Sequence, residues 1–117
     1  MNAVFVYGTL KRGRVNHPLL AGQTFLGEAR TAAGYALFDL GDYPGMVACP
    51  DDDRGVAGEV WSVDDACLAR LDAFEGTAEG LYRRTAVPLR TPFADGRIDA
   101  YLYLPSLEGR RRIGDAW

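Results

Sequence analysis

Apolar residues in this chain come in short bursts broken by glycine, proline and aspartate, a strand-like rhythm with one helical interruption. Residues 3–7 (AVFVY) are β-branched and aromatic, stop at Gly8, and predict a buried first strand. Residues 8–15 form a basic, glycine-bounded loop. Asn16 is placed to cap a helical turn over 17–21, with Pro18 in its first turn, where a missing N–H costs nothing. Residues 24–32 and 35–40 predict two strands around Gly34, and YPGM (43–46) predicts a turn into a short strand over 46–49. PDDDRG (50–55) reads as an exposed turn; as a calcium loop it fails, because Gly55 falls one place early and the distal Glu is missing. A strand follows over 56–63. Asp64 or Asp65 then starts a helix whose Cys67, Leu68, Leu71 and Phe74 share one apolar face, and which stops at Glu75–Gly76. Residues 81–90 and 97–104 predict two more strands, and the tail LEGRRRIGDAW shows no periodicity.

Mostly strand with one good helix predicts an α+β, mostly-β fold: a small mixed-strand β-barrel, closed or nearly so, with short flanking helices. At 117 residues the chain predicts a single domain over 1–117. Its 13 basic against 16 acidic residues give no electrostatic case for nucleic acid. No apolar run approaches the roughly 18 residues that span a bilayer. The opening MNAVFVYGTL lacks the basic n-region of a signal peptide, so the expected location is the cytoplasm, with no membrane partner. Cys49 and Cys67 form no metal-ligand cluster with the single histidine; they read as reduced thiols packed as small hydrophobes, with one disulfide as the alternative. No metal and no cofactor is expected.

Two places carry candidate chemistry. The first is FVYGTLKRG (5–13), where a strand ending in Tyr-Gly-Thr turns sharply and successive backbone amides can form an anion site. Gly8 and Gly13 mimic a phosphate loop, but Arg14 and Val15 replace the Lys and Ser/Thr that nucleotide binding needs. The other reading is a tight turn without function. The second is Glu75 in LDAFEG (71–76). A carboxylate in the last helical turn opposes the helix dipole; Asp72 lies on nearly the same face, and apolar Phe74 precedes it. Desolvation there suits a general acid/base, the alternative being a surface Glu near a helix end. His17 reads as a loop or capping residue, and Arg110–Arg112 as a solvated basic patch. Tyr82, Tyr101 and Tyr103 read as core aromatics or pocket wall, with Tyr101 and Tyr103 on one face. No Ser or Cys nucleophile has a partner base at a readable spacing.

Together, YGTLKRGRVNH (7–17) and LDAFEGTAEGLYRR (71–84), with GEVWSVDD (58–65) and AYLYL (100–104), resemble the gamma-glutamylcyclotransferase-like family over nearly the whole chain. The resemblance implies a small mixed β-barrel and cofactor-independent cleavage of a γ-glutamyl amide by internal cyclisation, releasing 5-oxoproline and a free amine. It implies that Tyr7, Gly8, Thr9 and Leu10 cradle the glutamyl end of a small-molecule γ-glutamyl substrate, and that Glu75 is the catalytic acid/base. The short stretch between YPGM and GEVW would shape the leaving-group side of the pocket. Two other readings keep the same barrel: a non-catalytic small-ligand domain, and an enzyme that trims a γ-glutamyl group from a biosynthetic intermediate.

Overall fold

The computed structural model describes residues 2–117. Eight strands and one α-helix follow in order: β1 (Asn2–Val6), β2 (Thr24–Arg30), β3 (Tyr35–Asp39), β4 (Pro44–Ala48), β5 (Ala57–Val63), α1 (Asp65–Phe74), β6 (Tyr82–Ala86), β7 (Asp99–Tyr103) and β8 (Arg111–Arg112), with a 3-10 turn over His17–Leu20. The strands form one mixed sheet in the order β2-β5-β1-β7-β4-β3-β8, with β6 pairing β7. β1 and β4 each run parallel to β7, meeting it at Val4–Asp99 and Met46–Leu102. β6 pairs antiparallel along the whole of β7. The mostly-β α+β class holds. The word barrel fits only loosely: the sheet ends at β2 and β8 without closing, and β7 gives one edge to β6 while dividing the other between β1 and β4.

Side chains alternate across β1 into two cores. Val4 and Val6 join Trp61, Val63, Cys67, Leu71, Tyr82 and Tyr101 on the helix side; Phe5 and Tyr7 join Leu37, Met46, Val60 and Ile98 on the other. A strand buried on both faces needs an unbroken apolar run, which AVFVY supplies. Tyr101 and Tyr103 lie on the same face, both toward the helix-side core.

α1 begins where its carboxylate cap sits: the N-cap is Asp64, which accepts the Cys67 N–H at 2.7 Å. It ends at Glu75, followed by Gly76 in the left-handed region at φ 68°. Cys67 and Leu71 are buried beneath it, but Phe74 is 44% exposed and does not join the core face. Three further boundaries differ from the sequence reading. The turn before β4 is at 40–43, closed by Leu40 N–H to Tyr43 C=O, so Pro44, Gly45 and Met46 are strand and not turn. Asn16 makes no side-chain cap and instead donates to Thr9 Oγ1 at 2.9 Å. The tail adds β8, which pairs Phe38 with Arg112 and Asp39 with Arg111.

Candidate active site

β1 delivers the residues that follow it to one end of the sheet, and α1 delivers its C-cap, Glu75, to the same place. Between them is a cavity of about 370 Å³ lined by Tyr7, Gly8, Thr9, Leu10 and Glu75, the five residues singled out in the sequence. Its remaining walls come from Val15, Asn16, Asp42, Tyr43, Pro44, Phe74, Leu81, Tyr82 and Tyr101, with Phe5 and Val6 at the base. The lining is largely apolar, and among the described residues Asp42 and Glu75 are its charged groups, with no Lys or Arg.

The 7–10 turn is held rigidly. Tyr7 donates its hydroxyl to the Tyr101 carbonyl at 2.6 Å and accepts the Met46 N–H at 3.1 Å, tying the end of β1 to both β7 and β4. Burial pushes that phenol's pKa well up, so it stays protonated. Gly8 accepts from Lys11 N–H at 3.1 Å and Thr9 from Asn16 N–H at 2.9 Å. Among the described residues no protein acceptor takes the N–H of Gly8, Thr9 or Leu10. Gly8 has a steric reason to be glycine: a Cβ there would lie 2.7 Å from the Pro44 ring. Downstream, Arg12 donates through both its backbone N–H and Nε to Glu59 at 3.1 Å, and Trp61 Nε1 donates to the same carboxylate.

Two acids one turn apart on α1 behave oppositely. Asp72 accepts the Tyr101 hydroxyl at 2.7 Å and Arg84 Nε at 2.9 Å. Burial would raise its pKa, but these hydrogen bonds and the Arg84 charge hold it below the usual carboxylate range. Glu75 has no such partner among the described residues, and desolvation pushes it up to about 7. Neighbouring carboxyls whose surroundings separate their titrations in this way are a mark of acid/base sites.

The sequence left the tyrosines of β6 and β7 open between core and pocket wall. Tyr82 and Tyr101 are both core and pocket: each is buried, each hydroxyl is bonded (Tyr82 to the Pro44 carbonyl at 2.9 Å), and each faces the cavity. Tyr103 packs edge-on against Tyr82 with centroids 5.3 Å apart. His17 contacts the Leu10 carbonyl at 3.0 Å and stacks near Trp61, a structural loop residue. Arg110, Arg111 and Arg112 are exposed and turn to Leu40 C=O, Asp39 and Asp52, away from the cavity. Cys67 is buried and Cys49 half-buried, both unpaired. Among the described residues no group of His, Cys, Asp and Glu could hold a metal ion, and no helix is long and apolar enough to cross a membrane.

An open mixed sheet with one flanking helix thus brings a glycine turn of uncommitted amides and a desolvated glutamate to one cavity. Residues 4–117 match the family described as gamma-glutamyl cyclotransferase, AIG2-like, and the chain belongs to that family, whose class is that of the cyclotransferase enzymes. It is 44% identical over 100 residues to a Vibrio cholerae protein named provisionally as a gamma-glutamylcyclotransferase, covering 86% of this chain and 80% of that one. It is 39% identical over 97 residues to gamma-glutamylaminecyclotransferase of Rattus norvegicus, covering 77% of this chain and 64% of the rat protein, so it spans under two thirds of that relative's length. Among solved structures, an AIG2-like protein of Mus musculus superposes with a TM-score of 0.83 at 28% identity, covering all of this chain and 88% of that one.

Proposed function

We propose that the chain cleaves a γ-glutamyl amine or γ-glutamyl amino acid by intramolecular attack of the substrate's α-amine on its own γ-carbonyl, with Glu75 as base and then acid. One observation carries this reading: Glu75, with its pKa near 7, shares a cavity with three backbone N–H groups that have no protein acceptor.

The steps follow from these groups. Because no cation lines the cavity, an α-carboxylate there finds its donors in the amides of Gly8, Thr9 and Leu10. Held at that end, the glutamyl chain folds so that its α-nitrogen approaches the γ-carbon, and well-oriented ring closure of this kind lowers a barrier by about 7–11 kcal/mol. The α-ammonium must first lose a proton, and a carboxylate poised near neutrality takes it. The new N–C bond gives a tetrahedral centre whose oxygen gains negative charge. Glu75 then returns the proton to the γ-nitrogen, the oxyanion re-forms the carbonyl as the γ-amide C–N bond breaks, the ring nitrogen gives its second proton to the departing amine through the Glu75 carboxylate, and 5-oxoproline and a protonated amine leave. Base and acid are the same residue, so the chemistry needs no second titrating group.

The test is to incubate the purified protein with a panel of γ-glutamyl amines and γ-glutamyl amino acids and quantify 5-oxoproline and the released amine. Equal amounts of the two products are expected. Saturable binding of the panel with no product would favour a non-catalytic ligand domain on the same sheet.

A further inference from the structure

Three tyrosines share the cavity with Glu75: Tyr7 from the end of β1, Tyr82 from β6 and Tyr101 from β7, with Asp42 the other charged group in its wall. Each is close enough for the charge on Glu75 to raise its pKa further. A phenol is a strong donor to a desolvated carboxylate, yet all three protons are directed elsewhere. Tyr7 donates to the Tyr101 carbonyl at 2.6 Å and Tyr82 to the Pro44 carbonyl at 2.9 Å. Tyr101 differs in that its acceptor is a side chain, Asp72 Oδ1 at 2.7 Å, one helical turn before Glu75. Asp72 is itself fixed by Arg84, whose guanidinium donates to it at 2.9 and 3.3 Å and to Asp99 at 2.7 Å, and Asp99 also accepts from Arg97 at 2.8 Å.

We propose that Asp72 is a positioning residue: by taking the Tyr101 hydroxyl it keeps that donor off Glu75 and leaves the Glu75 carboxylate free to accept a proton from substrate. The inference rests on the assignment of Glu75 as the base. A hydroxyl donated to a carboxylate stabilises its ionised form, so releasing Tyr101 lowers the pKa of Glu75 and weakens it as a base.

The experiment is the pH profile of kcat/KM for 5-oxoproline release. Asp72→Ala frees the hydroxyl and should move the acidic limb down by about one pH unit, with kcat falling more than KM changes. Asp72→Asn removes the charge but keeps a carbonyl that accepts the hydroxyl, and should move the limb much less. Asp72→Ala/Tyr101→Phe should bring the limb back to the Asp72→Asn position. Equal shifts in Asp72→Ala and Asp72→Asn, or a shift that survives loss of the hydroxyl, would overturn the proposal in favour of simple charge removal. Should Asp72→Ala not fold, Tyr101→Phe decides alone: an unchanged limb agrees with a hydroxyl that does not touch Glu75, and an upward shift contradicts it. Glu75→Gln separates the two ideas, since turnover by that variant removes the base itself, whereas a dead Glu75→Gln beside an unmoved Asp72→Ala limb sinks the positioning role alone.

Discussion

Tyr7 and Tyr101 are joined by a 2.6 Å hydrogen bond from the phenol of the first to the backbone carbonyl of the second, and the same phenol accepts the Met46 N–H. One buried oxygen thus fixes the end of β1, and with it the 7–10 turn, against β7 and β4. Removing it strands a buried carbonyl and a buried N–H. Tyr7→Phe should therefore cost about 1–3 kcal/mol of stability, read from denaturant melts, while the ring's packing survives.

Gly8 is required by its neighbour. The Pro44 ring occupies the place of a Cβ on Gly8, at 2.7 and 2.8 Å. Gly8→Ala must push β4 or the turn aside, and overpacking of this kind costs about 1–3 kcal/mol. Because the turn also carries the amide donors, 5-oxoproline release should fall more steeply than the melting temperature. A variant with normal turnover and normal stability would show that the turn tolerates displacement.

Much of this was legible in the chain, and the exceptions have a common cause. β1 could be read because both its faces are buried, and α1 because Asp64 and Gly76 are local signals. Gly8 and Glu75 could be singled out because a sharp turn and a misplaced helix-end carboxylate are visible within a few residues. β4 could not be read from its start: Pro44 and Gly45 are turn formers locally and become strand by pairing with Asp39 and Phe38. β8 exists through its pairing with β3, far away in sequence. Phe74 fits the helical stripe, yet it falls at the last residue of α1, where the core has given way to the cavity mouth. Asp72 and Tyr101 are 29 residues apart, so their bond leaves no trace in spacing.

The loop after the turn is latched by a carboxylate, and the latch is sensitive to acid. Burial raises the Glu59 pKa, but the hydrogen bonds from Trp61 and Arg12 outweigh it and hold the group below its ordinary 4.5. A depressed folded-state pKa contributes stability that is present above 4.5 and lost as pH falls through the lower folded value. Glu59→Gln should then be less stable than the parent at pH 7, and the gap should narrow towards pH 3 in urea melts. A constant gap would mean that the charge on Glu59 is not what holds Arg12.

Glu75 has the opposite linkage. Its folded-state pKa is raised from 4.5 to about 7, so the folded protein holds a proton that the unfolded chain has released in that window. Stability falls as pH rises from 4.5 to 7 and stays reduced above it. Glu75→Gln, neutral throughout, should be more stable than the parent at pH 8 by on the order of 1–3 kcal/mol, with the advantage gone near pH 4. An isosteric change that stabilises a protein while abolishing its turnover is the pattern expected when a site is kept at the expense of the fold.

If the Glu75 carboxylate moves the proton in cyclisation, Glu75→Gln must lose steady-state 5-oxoproline release. The variant should fold, as its far-UV spectrum and melt would show, and still bind a γ-glutamyl amine, but release 5-oxoproline at least about a hundredfold more slowly, the range lost with a general acid/base. A folded Glu75→Gln that turns over at the parent's rate would contradict it.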